Sequence, residues 1–455
     1  MYSTISLIVV CLFIWFLWIK HRRSYIDLAL YYLWITPFLA LVSVINHNLD
    51  HDVMHPYFRM IPYILVTFFL LISFNSSLLR WKSRQFWCAL LALSVYAFLS
   101  FLQFFNAIYP DWSVITWSWI VPGCILFFIA GYETSFNKLI RHHYAAWVIL
   151  GFISIGLFLR FYALFTGMVE DIWLTRNMGS IYANGILIVL TYGGIAWLQI
   201  RNSLKFIMLL IFFVLVSIVF SMSRSGLLPL LMVAVLLFSE FHRNKFYRIF
   251  AILFISAASL LLIGMIVTKY SDNAIINGLL SGWVNRLQGI DVSMYDWMTT
   301  AVQARVDEFQ DIYKSAFEKH VLTGVGFGQY HFASGSLYSD AHNMFITECY
   351  ENGVLATMFL YVVFCIAVVY ACLRLFSRNM IPLGISFLLC MILVHTGGTT
   401  LSERANPAQY FTPYPIWALF FIIGNLMFPL KNVRKLKELR CERHIGVSSS
   451  SIPEH

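Results

Sequence analysis

"FSMSRSGLLPLL", residues 220–231, interrupts a run that is otherwise almost pure hydrocarbon. From Phe206 to Phe238 the only charged residue is Arg224. The flanking apolar stretches read as two membrane spans, of the order of the roughly 17–25 residues a bilayer requires. A hairpin of only a few residues then joins them and holds Arg224 at one membrane surface. A single interfacial arginine usually snorkels to lipid headgroups. In so short an apolar hairpin, a charge facing the protein interior is the stronger reading.

The rest of the chain repeats this pattern. Its 455 residues are 60% hydrophobic and 17% aromatic, and only 12% are charged. Soluble domains carry about 25% charged residues. Continuous apolar runs exclude a transmembrane β-barrel, whose strands alternate polar and apolar positions. The fold class is therefore an all-α polytopic membrane protein with about 12–13 transmembrane helices. The spans fall near 3–19, 26–45, 60–79, 86–106, 114–132, 144–165, 180–199, 206–223, 226–240, 248–268, 343–373, 380–397 and 412–430. The first run lacks a basic leader and an A-x-A site, so it reads as a retained span.

The net charge of +9 does not point to nucleic acid, because the basic residues sit in short loops between spans. Those loops include 20–23, Arg80/Lys82/Arg84, Lys138/Arg141, Arg201/Lys205, Arg243/Lys245/Arg248, Arg374/Arg378 and the tail from Lys431. The positive-inside rule makes that side cytoplasmic, with the N-terminus outside and the C-terminus inside. Five regions follow: N-terminal spans over 1–165, spans with outer-face arginines over 166–268, one large outer loop over 269–341, C-terminal spans over 342–430, and a basic cytoplasmic tail over 431–455. The eight cysteines place no pair in a shared extramembrane loop, so no disulfide framework or CxxC metal site is indicated. His47, His51 and His55 have one-face helical spacing, but Pro56 follows at once, and a surface loop is preferred to a metal site.

The large loop has its own order. Over 299–320, Val302, Val306, Phe309, Tyr313 and Phe317 fall on one helical stripe, opposite Asp307, Asp311, Lys314 and Glu318. This predicts an amphipathic helix on the outer surface, with Arg305 bordering the apolar stripe. Arg176, Arg224, Arg286, Arg305 and Arg404 all fall on the outer side. Arginine's planar fork matches phosphate oxygens two at a time, and several arginines over the outer leaflet suit a lipid pyrophosphate. The glycines at 324, 326 and 328 lack the Lys-Ser/Thr and strand–helix context of a nucleotide loop, and read instead as a tight turn. His342 opens the eleventh span behind Asp340, a candidate helix cap. There it can serve as a general base on a sugar hydroxyl, with Glu348 and Glu351 as competitors. The plainer reading is a hydrogen-bonded structural His and a solvated acidic first turn. Trp112, Trp173, Trp283, Trp297, Tyr109, Tyr295, Tyr330 and Tyr338 supply aromatic faces for sugar rings or for an interfacial belt.

"RNMGSIYANG" at 176–185, "SRSGLL" at 223–228, "DEFQDIYKSAF" at 307–317 behind Arg305, "GVGFGQY" at 324–330 and "HNMFITECYENGVLA" at 342–356 occur in a telling order. That order and spacing resemble the O-antigen ligase and O-antigen polymerase superfamily, over roughly residues 170–375. The resemblance implies a bacterial inner-membrane glycosyltransferase with its site facing the periplasm. The donor would be a glycan on undecaprenyl pyrophosphate, passed en bloc to a sugar hydroxyl without nucleotide sugar, cofactor or metal. The acceptor would be another lipid-linked glycan for a polymerase, or the lipid A core for a ligase. Carried over by motif, Arg224 and Arg305 would bind the pyrophosphate and stabilise its departure, and His342 would orient or deprotonate the acceptor. Arg176, Arg286, Arg404, Asn343 and Glu348 are the candidate substrate-binding residues. The span count and the outer aromatics favour polymerase over ligase. A chain-length regulator is a candidate partner. A transporter would instead show ionisable groups at mid-membrane and broken spans in paired positions, whereas ionisable residues inside the spans are few (Asp27, Arg160 and His395) and no paired halves are evident.

Overall fold

The helix that the other described elements gather around is α5, Pro110–Glu133. The computed structural model describes residues 2–33, 35, 56–79, 82–134, 323–334, 343–375, 387–388, 391 and 414–427. Before α5 come α1 (Tyr2–His21), α2 (25–33), α3 (Pro56–Ser73) and α4 (Arg84–Leu102). After it come a short α6 (Tyr330–Ser334), α7 (Met344–Leu375) and α8 (Tyr414–Leu426). No strand occurs among the described residues. The stretches Arg84–Asn106, Pro110–Glu133 and Met344–Leu373 are long and apolar enough to cross a membrane, and Leu7–His21, Met60–Ser73 and Ile416–Leu426 are shorter apolar helices.

Local chemistry sets the helix ends. Ser83 caps α4, its Oγ accepting the amide of Phe86 at 3.2 Å. Pro110 starts α5, where its missing amide costs nothing, and Asp111 lies in the first turn at the positive end of the helix dipole. Pro56 likewise opens α3. His47, His51 and His55, just before it, lie outside the described residues. The span expected over 60–79 is a helix only to Ser73, followed by a 3-10 turn over Ser76–Leu79. The span expected over 86–106 likewise tightens to a 3-10 turn at Gln103–Asn106.

α5 packs on α3, α4 and α8, and α7 closes against both α4 and α8. The α5–α8 seam is the closest. A Cβ on Gly131 would run into the backbone of Phe421, one on Gly424 into the carbonyl of Phe128, and one on Gly123 into the indole of Trp417. Small residues let helix backbones approach where lipid supplies no hydrophobic drive between helices. The seam runs with the two helices parallel, Trp417 beside Ile120 and Asn425 beside Gly131 and Thr134. Around Pro122, which removes one helical donor, neighbours supply others. Thr67 Oγ1 donates to the carbonyl of Trp119 at 3.0 Å, and Trp417 Nε1 to that of Ile120 at 3.4 Å. Tyr63, Trp119, Phe127 and Trp417 form an aromatic cluster there, with Tyr63 stacked on Trp119 at 5.3 Å.

The two ends of the bundle differ. At one end Lys82 pairs with Glu133, and Tyr132 and Ser83 share a hydrogen bond. At the other, the connection between α4 and α5 meets the residues that precede α7.

Candidate functional site

This second end is built around a break in α7. The sequence predicts one uninterrupted span over 343–373, yet Gly353 has φ 76° and ψ 158°, so helical geometry stops and restarts there. A helix that stops leaves its last carbonyls without intrahelical donors. Two of them, those of Tyr350 and Glu351, accept the amides of Val325 and Gly326 at 3.0 and 2.9 Å. The donors belong to the glycine turn, where Gly324, Gly326 and Gly328 all have positive φ (58°, 105° and 72°). Left-handed backbone is costly for residues with a Cβ. At Gly324 a Cβ would also strike the backbone of Glu351 and Gly353. The expected tight turn is therefore present, and its purpose is to dock on the broken helix.

The carboxylate of Glu351 completes the joint. Its Oε2 accepts the amide of Gly328 at 3.0 Å and its Oε1 that of Tyr330 at 2.9 Å. Side chains then tie the turn to the α4–α5 connection. Gln329 Nε2 donates to the carbonyl of Tyr109 at 3.3 Å, and its Oε1 accepts the Tyr109 amide at 3.0 Å. Asn106 Nδ2 donates to the carbonyl of Thr323 at 3.1 Å. Val325, Tyr330 and Tyr350 make a small apolar core beneath, with the two tyrosine rings edge to face at 5.3 Å. Residues 106–109 and 323–330, from two connections that charge assigns to one side, thus meet at one end of the bundle.

Glu348 lies one turn back from Glu351 on α7 and faces inward. Its Oε2 accepts the hydroxyl of Tyr96 at 2.7 Å and Nδ2 of Asn352 at 2.9 Å. Glu348, Glu351 and Asn352 are essentially unexposed, at 0%, 1% and 0%. The alternative reading of these acids as a solvated first turn therefore does not hold; burying carboxylates requires the hydrogen bonds they are given. Asn343 is the cap of α7, its Oδ1 accepting the amides of Phe345 at 3.0 Å and Ile346 at 3.4 Å. Asp340, the expected cap, lies outside the described residues, as do His342, Arg176, Arg224, Arg286, Arg305 and Arg404. Of the expected sugar-stacking aromatics, Trp112 and Tyr330 are buried, while Tyr109 is exposed with its ring edge to face with Phe332 at 4.7 Å. Trp173, Trp283, Trp297, Tyr295 and Tyr338 lie outside the described residues.

The sequence did not single out Tyr96, Gln329, Asn352 or the break at Gly353. Asn352-Gly353 is itself a turn signal, and Tyr96 is a polar tip within an apolar run. Compared with models of known protein families and with curated proteins, the chain matches none.

Proposed function

We propose that the chain is a membrane glycosyltransferase, an O-antigen or related surface-polysaccharide polymerase. It moves a glycan from undecaprenyl pyrophosphate to the hydroxyl of another lipid-linked repeat unit at the periplasmic face of the inner membrane. The observation that carries this reading is the joining of 324–330 to 350–353 by backbone and carboxylate hydrogen bonds. Two stretches that the resemblance singles out are thereby joined at the end of the bundle, with α7 starting two residues after His342. In the reaction the acceptor hydroxyl gives its proton to His342, and its oxygen bonds to the anomeric carbon. The bond from that carbon to the pyrophosphate oxygen breaks, and the lipid pyrophosphate leaves with its charge held by Arg224 and Arg305. Arg176, Arg286 and Arg404 contribute further charge along the donor phosphates.

The test is a lipopolysaccharide ladder gel of the source bacterium with this gene deleted. Core bearing a single repeat unit, without a ladder, is the outcome expected of a polymerase. Bare core with long glycan retained on the lipid carrier would assign a ligase instead. A second reading, export of a polysaccharide or its lipid-linked precursor, gains from two features: the broken helix at Gly353 and the buried carboxylate of Glu348. Accumulation of complete glycan on the cytoplasmic side would favour it.

A further inference from the structure

We infer that Glu351 is a positioning residue, the lock that holds the glycine turn on the broken helix and so fixes the mouth of the proposed transferase site; its link to transfer rests on the glycosyltransferase reading. The lock itself rests on geometry alone. One carboxylate takes two backbone amides from the turn, Gly328 through Oε2 and Tyr330 through Oε1. The same residue's carbonyl takes a third, that of Gly326. Backbone amides that converge on an anion, as those of Gly328 and Tyr330 do here, resemble the concavities that elsewhere hold phosphate. Here the chain's own carboxylate fills it, so the glycine turn offers these amides to Glu351 and not to the donor's pyrophosphate. The pyrophosphate must then be met by side chains, and the turn's part is placement. It joins α7 near its break to the α4–α5 connection, which it reaches through Gln329 and Asn106. Losing the carboxylate's two bonds leaves the turn held to α7 by the amides of Val325 and Gly326 alone, and touches no contact of α4, α5 or α8 with one another.

Glutamine is the informative replacement. Its Oε1 can accept one of the two amides, but its NH2 group faces the other donor-to-donor. Aspartate keeps the charge at a shorter reach. The full-length protein in native membranes carries Val325→Cys, a buried turn position 6% exposed, and is treated with a membrane-impermeant maleimide. In the otherwise unaltered chain, residue 325 should resist labelling. Adding Glu351→Gln should raise the labelling rate about tenfold or more, as expected for losing one charge-assisted bond, while Glu351→Asp should fall between. Polysaccharide made by the single Glu351→Gln and Glu351→Asp variants should fall in the same order, with undiminished retention of the lipid-linked donor. If Glu351→Gln leaves residue 325 as protected as before, the lock is wrong. If labelling rises and polymer length and amount are unchanged, the turn opens but does not position the site, and the inference fails. If Glu351→Gln does not accumulate in the membrane, Glu351→Asp decides by the same two readings. Loss of the ladder on gene deletion tests the glycosyltransferase reading separately, since labelling needs no activity.

Discussion

The hydroxyl of Tyr96 donates to Oε2 of Glu348 at 2.7 Å across 252 residues of chain, joining the middle of α4 to the first turns of α7. The same oxygen accepts from the side-chain Nδ2 of Asn352 at 2.9 Å. Removing the carboxylate as Glu348→Ala leaves two buried donors to be re-satisfied, at about 1–3 kcal/mol for each orphaned group. Tyr96→Phe removes one donor and costs about 1 kcal/mol. Heat-challenged, detergent-solubilised protein should lose its monodisperse peak in that order. The double variant should fall short of the sum of the two by more than about 0.5 kcal/mol, because the residues share a bond. Simple additivity would mean that the bond is not made in the membrane.

An alanine at an exposed helical glycine normally stabilises by about 0.5–1 kcal/mol. At Gly131 and Gly424 the sign should reverse, because the added methyl meets the backbone of Phe421 or Phe128 and cannot be accommodated by a rotamer change. A loss of about 1–3 kcal/mol is expected for either, read as a lower thermal midpoint. Gly123→Ala should cost as well, since the methyl meets the indole of Trp417, which is held by Tyr63, Trp119 and Phe127 and by its bond to Ile120.

Charge distribution and packing together make a topological prediction. The end carrying the Lys82–Glu133 pair belongs with the basic loops, and the end carrying the glycine turn belongs opposite. Alkaline phosphatase fused after Tyr109 should be active, and green fluorescent protein fused after Thr134 should be bright. The reverse pattern would turn the proposed site towards the cytoplasm, where no periplasmic transfer can occur.

For the transfer reaction, Arg224→Ala and Arg305→Ala should each reduce product by about 10²–10³-fold, as for other lost stabilisers of developing negative charge, with normal protein in the membrane. His342→Ala should slow transfer without weakening retention of the lipid-linked donor. Wild-type product from both arginine variants would remove the pyrophosphate clamp.

Among the described residues, three of the expected spans were legible because length and apolarity decide them. Helices α4, α5 and α7 lie within a few residues of the stretches that hydropathy marks out. The break at Gly353 was not: Asn352-Gly353 is a turn signal, but glycine is common in membrane helices and the apolar run resumes directly after it. What stops the helix is a set of donors arriving from residues 325–330, which only the folded chain brings near. The same is true of the acids. Glu348 and Glu351 occupy a helix's first turns, where sequence logic offers them to water, and their burial depends on Tyr96, Gly328 and Tyr330. The glycine turn was read as a turn from its residues alone, whereas its attachment point was not. Arg224, Arg305 and His342 lie outside the described residues, so the candidate site is seen from its scaffold.

The seam between α5 and α8 also has a consequence in time. Its partners are 297 residues apart at Trp417 and Ile120. At 5–20 residues per second, on the order of 15–60 s of synthesis separates the birth of the groove from the arrival of the ridge that fills it. Throughout that interval α5 shows its neighbours a notched, glycine-lined surface already shaped for a helix the ribosome has not yet made. Helix α8 therefore works as a keystone. A chain cut short before residue 414 keeps α5 but lacks the helix that fills the seam along it.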